Sequence, residues 1–60
     1  MINMKASLEK LRADAAEAAL IRDLATDSIK RELFARLAMH LATLAKEVER
    51  AIAMRLADEK

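Results

Sequence analysis

A chain of sixty residues with neither glycine nor proline contains nothing that stops a helix outright. Leucine or alanine fills 23 positions and only one residue is aromatic. That composition favours helix over strand along the whole length. The first question is therefore how so short an all-helical chain makes a core. A 60-residue chain removes only about 60% of its unfolded surface from water, and below ~70–80 residues one core rarely supplies more than ~3–5 kcal/mol. Small proteins make up the difference with disulfides, a structural metal or association. With no cysteine and one histidine, association is the route left open.

Charge narrows the partners. Eleven basic and ten acidic side chains leave a net charge of +1, without the basic excess that drives phosphate-backbone binding. Residues 1–27 carry −1 and residues 28–60 carry +2, a weak asymmetry that suits two halves lying against each other. Charges recur every few residues, so no membrane-spanning segment is expected. The opening Met1-Ile2-Asn3-Met4-Lys5 leads straight into charged helical sequence without the apolar run of a secretory signal. A cytoplasmic protein is the corresponding expectation.

Local punctuation occurs once, at Thr26-Asp27-Ser28, whose short polar side chains prefer helix caps and turns to helix interiors. Asp27 is the expected N-cap of a second helix, where its carboxylate accepts from first-turn amides and meets the positive end of the helix dipole. Lys30 stands where a full capping box would place Glu or Gln. The first helix is predicted from about Asn3 to Ala25, with Met4, Leu8, Leu11, Ala15, Ala18 and Ile21 on one face. Ala16, Ala19, Leu20 and Leu24 add apolar surface elsewhere, so this end is expected to meet more than one neighbour.

The second helix is predicted from Ser28 to about Ala57. Its seam, Phe34, Leu37, Leu41, Leu44, Val48 and Ala51, alternates steps of three and four and is broadened by Leu33, Ala45, Ile52 and Leu56. These side chains cover roughly 140–160° of the helix, wider than the stripe of a two-stranded coil and typical of a bundle. A chain that folds back at the turn sets Phe34 near Ala19, Leu37 near Ala15 and Ala16, and Leu41 near Leu11, large against small. The same register leaves Ile52 and Leu56 beyond the start of the first helix. The rival is one uninterrupted helix, against which stands the phase of the apolar stripe, which breaks through Arg22, Asp23, Thr26 and Asp27.

Residues able to do chemistry are few. His40 flanks the apolar stripe between Leu37 and Leu44 and is the one side chain that ordinarily titrates near neutrality. A phospho-accepting histidine on a helical hairpin is one reading of it. Leu41-Ala42-Thr43-Leu44 follows, without the acidic residue, proline or Lys-Gly pair of such sites. A histidine packed at the boundary of the apolar stripe is the simpler reading. A metal would need ligands three or four residues away, where Arg36, Leu37, Thr43 and Leu44 stand; no metal or other cofactor is expected. Glu9, Asp14 and Glu17 spread around the first helix instead of converging as a catalytic pair, and no enzymatic activity is expected. Glu32 with Arg36 and Arg55 with Glu59 read as surface pairs. Lys30, Arg31, Arg36, Lys46, Arg50 and Arg55 could touch nucleic acid, but Glu32, Glu47 and Glu49 are interleaved among them. Met39 and Met54 project from the polar side, as contact residues for a partner or as isolated exposed apolars.

Arg12, Ala16-Glu17, Ala25-Thr26-Asp27, Lys30-Arg31-Glu32-Leu33-Phe34, Leu37-Ala38, Leu44-Ala45 and Glu47-Val48-Glu49 together resemble small helical proteins of rhizobia and related alphaproteobacteria, over residues 12–50. The resemblance implies a helical hairpin and supplies no mechanism; those proteins carry proline after the turn aspartate, where this chain has Ser28.

The expected architecture is all-α, a single domain over residues 1–60. It is an antiparallel hairpin (about 3–25 and 28–57) that dimerises into a four-helix bundle, with a tetramer or a heterologous helical partner as variants. The expected interface and core residues are Leu8, Leu11, Phe34, Leu37, Leu41, Leu44, Val48, Ile52 and Leu56. The expected role is that of a non-enzymatic interaction module. Phosphotransfer through His40, or contact with nucleic acid through the second helix, are the alternatives.

Overall fold

The computed structural model describes residues 3–58, which form two α-helices, α1 (Met4–Leu24) and α2 (Ser28–Asp58), packed as an antiparallel hairpin. The chain does not continue as one long helix. Each helix opens on a side-chain cap. Asn3 is extended and its Oδ1 accepts from the amides of Lys5 at 3.0 Å and Ala6 at 3.2 Å, satisfying donors that the first turn would otherwise leave open. Asp27 does the same for α2: its Oδ1 accepts from Ile29 N at 3.1 Å, and its carbonyl accepts from Arg31 N at 3.0 Å.

The stop at the end of α1 is achieved without glycine. Ala25 leaves the helix in an extended conformation (φ −70°, ψ 132°), which any residue adopts without strain. Its freed carbonyl accepts from Arg31 Nη2 at 3.0 Å. A cation from the second turn of α2 thus closes the negative end of α1.

That extended exit sets the register. Ile21 and Ala18 share a groove with Phe34, Leu37 and Leu41, while Met4 shares one with Ile52 and Leu56. Arg12 reaches Glu49 at 2.6 Å. The helices are therefore offset by about one turn from the register expected of a tight reversal, because extended residues rise ~3.3 Å each and helical ones only ~1.5 Å. Ala25 to Asp27 carry the chain past the end of α1 before α2 turns back. One consequence corrects the expectation for the far end: Ile52 is half-buried beside Met4, not left beyond α1. Leu56 remains exposed.

The inward face of α1 is the expected one, with Leu8 and Ala18 buried and Met4, Leu11, Ala15 and Ile21 half-buried. The inward face of α2 is rotated from the expected seam. Ala38 and Ala45 are each only 7% exposed, whereas Leu37 is 40% and Leu44 46% exposed. The line that meets α1 is Phe34, Ala38, Leu41, Ala45, Val48 and Ile52. Alanines on both helices let their backbones approach closely, and a leucine at Ala38 or Ala45 would hold them apart. Leu37 accordingly lies beside Asp14 and Ile21 on a flank, while Ala15 and Ala16 face Ala38 and Ala42. The Cα atoms span 50 × 16 × 15 Å, a single layer of two helices with both broad faces open.

Candidate functional site

Two apolar stripes run along α2, and the hairpin uses only one of them. The second, Leu33, Leu37 and Leu44, follows steps of four and seven residues, which return to the same side of a helix. All three leucines are exposed. Beside them the helices leave an open groove floored by Ile21, Phe34, Leu37 and Leu41. One rim of this flank belongs to α1 and is acidic, formed by Asp14 and Glu17, with the Lys10 ammonium 3.3 Å from Asp14. The other rim belongs to α2 and carries Arg36, His40 and Glu47, all exposed.

The opposite flank differs in kind. Ala15, Ala19, Ala38 and Ala42 make it shallow, and the Arg12–Glu49 ion pair straps the helices together across it. Met39 stands there, exposed; Met54 is also exposed. The large side chains are gathered on one broad face and the small ones on the other. Of the expected interface residues, Leu8 is buried, and Leu11, Phe34, Leu41, Val48 and Ile52 are half-buried. Leu37, Leu44 and Leu56 are exposed in the hairpin.

His40 is open to solvent on the leucine flank, one turn from Leu37 and from Leu44. The side chains three and four positions away are Arg36, Leu37, Thr43 and Leu44, so no carboxylate of its own helix orients the imidazole. Among the described residues, no group of three or more His, Asp or Glu side chains comes together. The basic side chains of α2 point in many directions, since Arg36, Lys46 and Arg55 are spaced ten and nine residues apart, far from a common helical face. Arg31 is committed to the turn. No described helix is long and apolar enough to cross a membrane.

Three ion pairs occur among the described residues: Lys10–Asp14, Arg12–Glu49 and Arg22–Asp23. Glu32 with Arg36 is not one of them, and Glu59, the expected partner of Arg55, lies outside the described residues. At the end of α1, Arg22 Nε donates to Asp23 at 2.9 Å. That hydrogen bond holds the Asp23 carboxyl below its usual value and raises the Arg22 guanidinium. Asp23 is exposed and Arg22 half-buried, and the pair offsets an acidic residue at the negative end of the helix.

Sequence reasoning missed the Arg12–Glu49 strap and the Arg31 cap, because both depend on register. The buried alanines had a visible signal: Ala38 and Ala45 interleave with Phe34, Leu41, Val48 and Ile52 in perfect steps of four and three. Compared with protein-family models, with curated proteins and with solved structures, the chain matches none.

Proposed function

We propose that this protein acts by assembling: two hairpins close their leucine flanks against each other in a four-helix bundle, and the bundle is a non-enzymatic interaction module. The observation that carries this reading is the hairpin's core. Among the described residues Leu8 is the only buried side chain larger than alanine, joined by Ala18, Ala38 and Ala45, while nine large apolar side chains remain exposed. A single core in a chain below ~70–80 residues rarely supplies more than ~3–5 kcal/mol, and this one is built mostly from alanines, which remove little apolar area from water. A second layer covers Leu33, Leu37 and Leu44 and completes the half-buried Phe34 and Leu41.

A second copy is the partner because the flank is self-complementary. Its apolar strip is bordered by Lys10, Asp14 and Glu17 on α1 and by Arg36, His40 and Glu47 on α2, so both rims carry cation and carboxylate and a copy related by a two-fold axis can set one against the other at each edge. Sedimentation equilibrium with circular dichroism over a dilution series tests the reading. The expected result is a two-chain mass at micromolar concentration, with helicity lost as dilution separates the chains. A folded single chain whose helicity is independent of concentration refutes it.

A further inference from the structure

The orientation of the two hairpins follows from which residues stand level with one another. We propose, resting on the dimer reading above, that the second copy docks with its turn at the same end as the first, about a two-fold axis parallel to the helices. Such an axis rotates the second hairpin without sliding it along the first. It lays α1 of one copy over α2 of the other and transfers the register within a hairpin unchanged to the contact between hairpins.

That register is fixed by Ile21 beside Phe34 and Leu37 at one end and Met4 beside Ile52 at the other. Between these points, Lys10 stands level with Glu47, Glu17 with His40 and Leu24 with Leu33. These residues recur every seven positions along the outer edges of their helices, so each helix presents them in a row. The rows match: ammonium to carboxylate, carboxylate to imidazole, leucine to leucine. Lys10 already stands on the rim, held beside Asp14 at 3.3 Å, and all six side chains are exposed in the single hairpin.

The reversed arrangement, with turns at opposite ends, sets each helix against its own copy. Charge alone permits it, since Lys10 then meets Glu17 and His40 meets Glu47. Apolar surface decides between the two. Leu24 and Ile29, at the turn, are the most exposed large apolar side chains among the described residues. Reversal carries Leu24 to the level of Asn3 in the other copy, a polar helix start, and finds an apolar partner only for Leu33, at exposed Met54. Docking turn to turn instead gathers Leu24, Ile29 and Leu33 of both copies at one end, covers the two most exposed of these side chains, and leaves Met54 alone against a helix start.

The chain has no cysteine, so a Thr26→Cys variant accepts one spin label at an exposed turn position outside both helices. Dipolar spectroscopy on the labelled full chain should give a distance under about 25 Å, set by helix separations of ~8–10 Å and the label arms. The reversed arrangement separates the turns by at least the length of α1, about 30 Å at ~1.5 Å per residue. A distance in that longer range overturns the proposed orientation and leaves the dimer standing. Absence of dipolar coupling at concentrations giving full helicity removes the dimer and the orientation with it. A charge reversal supplies the second readout. Lys10→Glu should weaken association roughly ten-fold across the two symmetry-related pairs, and Glu47→Lys in the same chain should restore it. Failure of Glu47→Lys to rescue, with rescue by Glu17→Lys instead, assigns the reversed pairing and refutes the proposal.

Discussion

Truncating the outer leucines separates an interface from a core. In the single hairpin Leu37 is 40% and Leu44 46% exposed, so together they leave nearly nine-tenths of one leucine's surface in water. A symmetric pair of hairpins hides that amount twice. At ~1.5–3 kcal/mol per fully buried leucine, the double variant Leu37→Ala/Leu44→Ala forfeits about 2–5 kcal/mol of association free energy, thirty-fold to a few thousand-fold in dissociation constant. The remainder of each side chain packs within its own hairpin, and its loss destabilises the protomer at every concentration. In a coupled equilibrium both losses move the dissociation midpoint, so the interface loss sets the least shift expected. Sedimentation equilibrium and ellipticity at 222 nm, followed across a hundred-fold dilution, should show the midpoint of dissociation moving to higher protein concentration by at least that factor. Met39→Ala, on the alanine-rich flank, should leave the midpoint unchanged within about 0.5 kcal/mol. A double variant that unfolds more easily but dissociates at the wild-type concentration refutes the assignment of this flank to the interface.

Other expectations follow from the caps, the close helix contact and the turn. Asp27→Ala removes the acceptor for Ile29 N and should cost about 1 kcal/mol in thermal melts at fixed protein concentration, whereas Asp27→Asn should cost far less. Ala45→Leu forces an extra isobutyl group into the line where the helices meet and should destabilise by about 1–3 kcal/mol; an unchanged melt would show that Ala45 does not lie in a tight contact. Arg31→Ala leaves the Ala25 carbonyl without its cation and should speed hydrogen exchange in the last turn of α1 before it affects the rest. Asp23 has a carboxyl lowered by its hydrogen bond to Arg22, so its contribution is present above the unfolded-state value and lost as pH falls through the folded-state value. Asp23→Asn should therefore flatten the acid limb of a melting-temperature profile while leaving the profile above pH 6 in shape.

Much of the hairpin is written in local chemistry. Asp27 caps α2 because a short carboxylate before a helical run reaches the first-turn amides wherever the chain goes afterwards, and this is legible from three adjacent residues. Asn3, read as the start of the first helix, is its cap for the same local reason. The face of α1 is also recoverable, since its large side chains form one stripe. What the residues alone left open is rotational. On α2 the leucine stripe and the alanine-interleaved stripe overlap at Phe34, Leu41 and Val48, and periodicity supports either as the line that meets α1. Transfer energy favours turning the leucines inward, while close approach of two alanine-lined backbones favours the other choice. Which wins depends on the shape of α1, whose Ala15, Ala18 and Ala19 offer a shallow surface to mesh with Ala38 and Ala45. The one-turn offset was hidden for a related reason: no residue in Ala25-Thr26-Asp27 marks whether three linking residues fold tightly or run extended.

The partition of α2 into an alanine line facing its own α1 and a leucine line facing outward has a consequence for how stability is distributed. Small side chains position the two helices closely but remove little apolar area, whereas the leucines supply area that only another layer makes dry. In the proposed dimer most of the favourable free energy would reside between chains, and folding and association would be one equilibrium. The population of ordered hairpin then follows protein concentration, and any molecule that offers a better cover for Leu33, Leu37 and Leu44 competes directly with the second copy. Substitutions in the alanine line, by contrast, change geometry first: Ala38→Leu, widening the hairpin, should alter the proposed register of Lys10 against Glu47 of a second copy before it changes the exposed leucine surface. A variant of that kind that keeps full association strength would show that the leucine flank assembles without the fixed helix spacing beneath it.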